Sequence, residues 1–238
     1  MSYSLDPNDD EAKRAMSLAY IQKGNPDEAL KILSSAKEDF DKLLIALALA
    51  KKGNFERSAD VYREIPWDYL NADNVFLQDF KKMIVQLQGL KPYIEGKIKQ
   101  AQLLETKGNY KEALKEYGDL IRYADEREIK EIRAHIAILL KEKPYLLELD
   151  EEVRKLAIRA EFYTKEGRFA EAVNEYKKAL NLAPFLPELY KALALNYAGA
   201  MQYRKAIDMM KIYLELYPDA PDTRAAKDEI YRWEVNME

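Results

Sequence analysis

The chain of 238 residues has no cysteine and only one histidine, His135. Without cysteine there is no disulfide, no thiolate nucleophile and no cysteine-based zinc site. One histidine excludes a His-rich metal cage and most Ser-His-Asp arrangements, and no glycine-rich phosphate loop follows a strand pattern. The sequence therefore predicts no metal, no cofactor and no catalytic residue, and indicates that the protein is not an enzyme.

Long apolar runs and an excess of one charge are also absent. The longest apolar run, Leu43 to Ala50, is far shorter than the roughly 20 residues of a membrane span. The 38 basic and 42 acidic side chains are spread evenly along the chain and give a net charge of −4. The sequence therefore predicts no nucleic-acid binding and no membrane insertion.

The first ten residues are polar and acidic, and no signal peptide is visible among them. We expect a cytoplasmic location on this basis. The alternative is a periplasmic location, with an export signal removed from the chain.

Only eight glycines and nine prolines interrupt a sequence dominated by lysine, glutamate, alanine and leucine, which are good helix formers. This composition predicts an all-α fold. Four glycines stand in one sequence context, and Met201 occupies the corresponding position in a fifth copy, 34 residues after the last of them. The four are Gly24, Gly53, Gly108 and Gly167.

Each copy predicts a helix, a tight turn and a second helix. Glycine ends a helix because it adopts the left-handed conformation without a Cβ clash. The spacing of Asn25 to Glu28, and of Asn109 to Glu112, is that of a capping box at the start of the second helix.

Small residues stand at two matched positions in all five copies, which predicts close contact between the paired helices. Seven residues before the turn position stand Ser17, Ala46, Ala101, Ala160 and Ala194, and five residues after it stand Ala29, Ser58, Ala113, Ala172 and Ala206.

With these features the sequence resembles the tetratricopeptide repeat family, whose pattern has a small residue, a turn glycine, an aromatic residue, an alanine and a final proline. The resemblance implies a right-handed superhelical solenoid of antiparallel helix pairs in one array over residues 1–238. The repeats are 10–38, 39–72, 94–127, 153–186 and 187–220. Extra helices at about 73–93 and 128–152 should interrupt the array, and 221–235 should form a capping helix with Ala225, Ile230 and Tyr231 packed inward.

The family's fold implies a concave groove lined by the first helix of each repeat. The positions expected there are Arg154, Ala157, Glu161, Thr164, Lys191, Leu195 and Ala198, with Glu229 and Arg232 from the capping helix and Ile98, Gln102 and Glu105 on the equivalent stripe of 94–127. Leu195 is the expected apolar anchor, and Lys191 is expected to select an acidic residue of a partner. The carboxylate clamp of some co-chaperones in this family is not assembled, because Ala157, Glu161 and Leu195 stand where its polar residues would be.

The predicted function is a scaffold or adaptor that binds a peptide or helical segment of a partner protein in the groove. One alternative is a helical structural subunit that forms a homo-oligomer by self-association. The other is an enzyme with its site at the extra helices.

Overall fold

The structure is a computed structural model that describes residues 10–34, 38–65, 90–121, 124 and 126–237. All regular structure in these ranges is helical, as the composition predicts. The chain forms two compact units, Met1–Gly96 and Lys97–Glu238. That the repeats continue as one array through both units stays a prediction.

The described part of the first unit contains two helix pairs, and α3 is the central helix of the four. The helices are α1 (Asp10–Gln22), α2 (Pro26–Ile32), α3 (Asp39–Lys51) and α4 (Phe55–Arg63). Helix α3 packs on the other three helices, and seven residues of its eight-residue apolar run are buried. Arg14 of α1 donates from Nε to Oδ1 of the buried Asp41 on α3 over 2.7 Å, and this bond adds a charged link to the apolar contact.

The second unit contains two well-formed helix pairs preceded by a longer and less regular segment. Its helices are α5 (Leu90–Thr106, which contains the boundary between the units), α6 (Tyr110–Leu120), α7 (Glu126–Glu142), a 3₁₀ helix (Pro144–Leu147), α8 (Glu151–Lys165), α9 (Phe169–Leu182), α10 (Pro187–Gly199), α11 (Tyr203–Leu216) and α12 (Thr223–Val235). Helix α8 pairs with α9 and α10 with α11, while α9 also packs on α10. The last helix, α12, packs on α11 as a cap.

All five predicted turns are present, and all five have the same backbone. The four turn glycines have φ between 70° and 80°, and Met201 has φ of 58°. In each turn the residue after this position donates its N–H to a carbonyl five residues earlier, as Asn25 does to Tyr20 and Gln202 to Tyr197. These bonds form the Schellman motif, which satisfies the last carbonyls of the first helix.

The predicted capping boxes at Asn25 and Asn109 are wrong. Neither side chain makes a capping hydrogen bond. The N–H groups of both residues are already bonded to the carbonyls of Tyr20 and Leu104 in the preceding helices. Because the turn uses these N–H groups, Glu28 and Glu112 have no free cap donor to accept from.

All ten small residues are buried, and α1 packs on α2, α3 on α4, α8 on α9 and α10 on α11, as the pattern predicts. In the pair α3 and α4, one hydrogen bond joins the two small positions: Ser58 Oγ donates to the carbonyl of Ala46 over 2.7 Å. A hydroxyl on one helix can reach the backbone of the other only where no large side chain separates them.

Replacing Met201 with glycine is expected to stabilise the protein by about 0.5–1 kcal/mol. The left-handed conformation costs a non-glycine residue roughly 1–2 kcal/mol, and the extra flexibility of glycine in the unfolded chain offsets about half of that. The Met201 side chain is 78% exposed, so little packing is lost. The midpoint of urea denaturation measures the change. Gln202→Gly is the control, because Gln202 has φ of −93° and gains nothing from glycine; equal effects of the two variants would contradict the explanation.

The extra helix predicted at 128–152 is α7, and it ends just before Pro144 as expected. It is shorter than predicted, because a 3₁₀ helix follows it and residues 151–152 already belong to α8. Of the other predicted extra helix, residues 73–89 lie outside the described ranges, and residues 90–93 form the first turn of α5. Helix α7 packs against α11, where Arg133 bonds to Glu215 and Lys141 to Asp219, each over 2.6 Å. It therefore contacts the last repeat as well as its sequence neighbour α6.

The capping helix begins at Thr223, two residues after the predicted start. Its buried residues are Ala226, Ile230 and Trp233, so the predicted inward packing is right for Ile230 and wrong for Ala225 and Tyr231, which are exposed. The helix is rotated from the predicted orientation because the large Trp233 ring is buried. Among the described residues, no helix is long and apolar enough to cross a bilayer.

Candidate functional site

The first helices of the two best-formed repeats, α8 and α10, are joined by a side-chain hydrogen bond. Thr164 on α8 donates from Oγ1 to Oδ1 of Asn196 on α10 over 2.8 Å. Asn196 is itself fixed by a bond from its amide nitrogen to the carbonyl of Ala192. The bond joins α8 to the residue that follows Leu195 on α10.

The predicted groove residues of α8 differ in accessibility. Arg154 is exposed and pairs with Glu151 over 3.2 Å, and Glu161 is exposed. Thr164 is half-buried in the contact with α10, and Ala157 is buried. A partner could therefore contact Arg154 and Glu161 directly, whereas Ala157 only shapes the surface.

Lys191 on α10 is held by carboxylates of its own chain. Its Nζ lies 2.7 Å from Asp222 and 3.5 Å from Glu188, and it lies over the ring of Tyr213 at 5.4 Å. Tyr213 donates its hydroxyl to the same Asp222 over 2.5 Å. An acidic residue of a partner would have to compete with these two carboxylates for Lys191.

The charges of this cluster stabilise one another. The hydrogen bond to Asp222 raises the pKa of Lys191. Partial burial raises the pKa of Asp222, but the hydrogen bonds from Lys191 and Tyr213 outweigh it, so the pKa lies below its ordinary value. Burial and the bond to Asp222 raise the pKa of Tyr213. The cluster is therefore a fixed link between α10, α11 and the cap.

Leu195 is 46% exposed, although most of its neighbours on α10 are buried. On α12, Glu229 and Arg232 pair with each other over 2.5 Å, and Arg232 is exposed. Both cap residues are surface charges. Among the predicted groove residues of α8, α10 and the cap, Leu195 is the one that exposes a large apolar side chain.

Two exposed apolar residues of α8 were not predicted. Ile158 and Phe162 on α8 are 50% and 57% exposed. They stand four residues apart and share one face of the helix. An apolar pair at this spacing usually marks a buried face, so no local sequence pattern indicates that this pair is accessible.

The predicted stripe on α5 lines a partly open cavity. The cavity has a volume of about 230 Å³ and is lined by Ile98 and Gln102 of α5 and Tyr117 of α6. Helix α7 covers the other side with Glu128, Glu131, Ile132 and His135.

Glu105, the third predicted residue of this stripe, links the walls of the cavity. Its Oε1 accepts from the Tyr117 hydroxyl over 2.6 Å and lies 2.8 Å from Nε2 of His135. The rings of Tyr117 and His135 meet edge to face at 5.1 Å. Burial and the bond to Glu105 raise the pKa of Tyr117. In the described part of the chain, no three His, Asp or Glu side chains are placed to hold a metal ion.

Residues 156–185 match the family model of the tetratricopeptide repeat. No curated protein matches the chain significantly. Among solved structures, the TPR2AB domain of yeast Sti1 in a complex with pHSP90 matches at 15% identity over 95% of this chain and 83% of that chain, with a TM-score of 0.34. MamA of AMB-1 matches at 17% identity over 86% of this chain and 96% of that chain, with a TM-score of 0.25.

At this level of similarity, what Sti1 or MamA binds says nothing about what this chain binds. The family model, by contrast, covers most of α8, the glycine turn at Gly167 and all of α9. The same turn geometry and the same buried small residues recur in the other four copies. Residues 156–185 are therefore similar to the tetratricopeptide repeat, and the other four copies share the turn geometry of this segment.

Proposed function

We propose that this protein is a non-enzymatic interaction module that binds a segment of a partner protein against α8 and α10. The observation that carries this proposal is the exposure of large apolar side chains on both first helices, Ile158 and Phe162 on α8 and Leu195 on α10. Single exposed apolar residues are common, but large ones on two hydrogen-bonded helices favour an interaction site.

The proposed binding surface comprises the accessible groove residues of α8, α10 and the cap together with Ile158 and Phe162, and the buried Ala157 shapes it from below. Leu195 is the apolar anchor, because a large side chain that becomes desolvated on binding contributes more than a charge that stays in water. Arg154 and Glu161 on α8, with Glu229 and Arg232 on the cap, form the polar rim. Lys191 acts mainly through Asp222 and orients the surface around Leu195.

The helices are held in place before binding, which supports this function. The bond from Thr164 to Asn196 and the Lys191–Asp222–Tyr213 cluster fix α8, α10 and the cap relative to one another. The partner segment therefore bears most of the ordering cost of association. Contacts with an apolar centre and a charged rim suit a helical or extended peptide that carries both kinds of side chain.

Leu195→Asp is expected to weaken binding of the partner by about 30-fold, equivalent to about 2 kcal/mol. The partner segment is first selected from a random peptide library displayed on phage, and its affinity is then measured by calorimetry. Phe162→Asp should have a similar effect, whereas rim variants such as Arg154→Ala should change affinity by less than about fivefold.

The matched control is Ile138→Asp, which makes the same type of change at an exposed apolar residue of α7. A loss of affinity in this variant, with Leu195→Asp unaffected, would move the site to α7. Light scattering of the free protein tests the main alternative, self-association. A molecular mass that rises with protein concentration would favour self-association as the primary function.

A further inference from the structure

The cavity between α5, α6 and α7 has the size of one long side chain. Its volume of about 230 Å³ lies below the roughly 300–1,000 Å³ of sites for small molecules and cofactors. Its floor is apolar, with Ile98 and Ile132, and the ring of Tyr117 forms part of its wall.

The polar groups around this cavity favour a positive charge. Glu128 and Glu131 line it, Glu105 bonds to two of its lining residues, and none of the lining side chains that the structure describes is a lysine or an arginine. Glu131 pairs with Arg127 over 2.9 Å, but both side chains are exposed, and such a pair is weak enough to be replaced.

The Glu105 carboxylate is fixed in position. Both of its hydrogen-bond contacts, to Tyr117 and to His135, use Oε1, so Oε2 carries neither. An aromatic ring beside carboxylates attracts a cation through the negative face of its π system, and arginine is the cation that most often uses this contact.

We propose that this cavity binds the side chain of an arginine or lysine. The apolar floor accommodates the methylene groups, and the glutamates hold the charged end at the opening. An organic cation fits better than a metal ion, because the described residues place no group of three metal-ligating side chains together. That the basic residue belongs to a partner protein rests on the function proposed above, whereas binding of the cation itself does not.

The test uses His135, whose imidazole gives a unique NMR signal because it is the one histidine of the chain. The full chain is titrated at constant pH with N-acetyl-arginine N-methylamide. We expect a saturable shift of the His135 ring signal with a dissociation constant in the millimolar range, as is usual for so small a ligand. The neutral compound N-acetyl-norleucine N-methylamide should give no saturable shift.

Glu131→Gln is expected to weaken arginine binding by about threefold or more, because it removes a charge from the wall at an exposed position where folding is not at risk. Glu142→Gln is the matched control, since it makes the same change about 16 Å further along α7. Equal shifts with the neutral compound, no saturable shift with arginine, or equal effects of the two variants would each overturn the proposal. The titration contains no partner protein, so its results do not depend on whether a partner binds at Leu195.

Discussion

The variant Ile136→Ala is expected to lower the free energy of unfolding of the second unit by about 2–5 kcal/mol. Ile136 lies on α7 and is 0% exposed. Truncation to alanine removes apolar contacts and leaves a cavity that the rigid neighbouring helices fill only partly. An effect of this size would show that the extra helix belongs to the core of the unit.

Ile138→Ala is the matched control, because it removes the same atoms from the same helix at a side chain that is 54% exposed. Its effect should stay within about 0.5 kcal/mol. Unfolding in urea can be followed through Trp233, which is buried on the cap, in a Trp67→Phe background. A small effect of Ile136→Ala, comparable with that of the control, would mean that α7 is not packed as the structure shows.

Ala172→Phe is expected to cost roughly 1–3 kcal/mol by overpacking the contact between α8 and α9. Ala172 is 0% exposed and occupies one of the small positions shared by all five repeats. A phenyl ring there must push the paired helices apart or take a strained rotamer, because the interior has no spare volume.

The control is Ala170→Phe, at an exposed position two residues earlier on α9. It carries the same loss of helix propensity, about 0.5 kcal/mol, without the overpacking. The same Trp233 fluorescence measures both variants. If both shift the denaturation midpoint equally, the small residues do not mark the helix contact in this repeat.

The two candidate surfaces of the second unit divide the groove that the repeat pattern predicts. On α8 and α10 the first helices stay open, and Leu195 is accessible beside Asn196. On α5 the corresponding side chains face a cavity that α7 covers. A partner that used both surfaces would place an apolar segment on the first and a single basic side chain in the second.

Local chemistry explains why the sequence alone determined the repeated helix pairs and their turns. A turn glycine such as Gly167 ends its helix because of its own backbone freedom. A small residue such as Ala172 permits close packing because of its own volume. Even Met201 takes the glycine conformation, since the helices on both sides leave the turn no other geometry.

Contacts between residues far apart in the chain decided the rest, and no local pattern encodes them. Helix α7 packs on α11 through bonds such as Arg133 to Glu215, which join residues 82 apart. The same long-range packing closes the stripe of Glu105 into a cavity, engages Lys191 with Asp222 and leaves Phe162 accessible. Amino-acid type determines whether a side chain can be buried, but whether it is buried depends on which distant helix covers it, and only the tertiary structure specifies that.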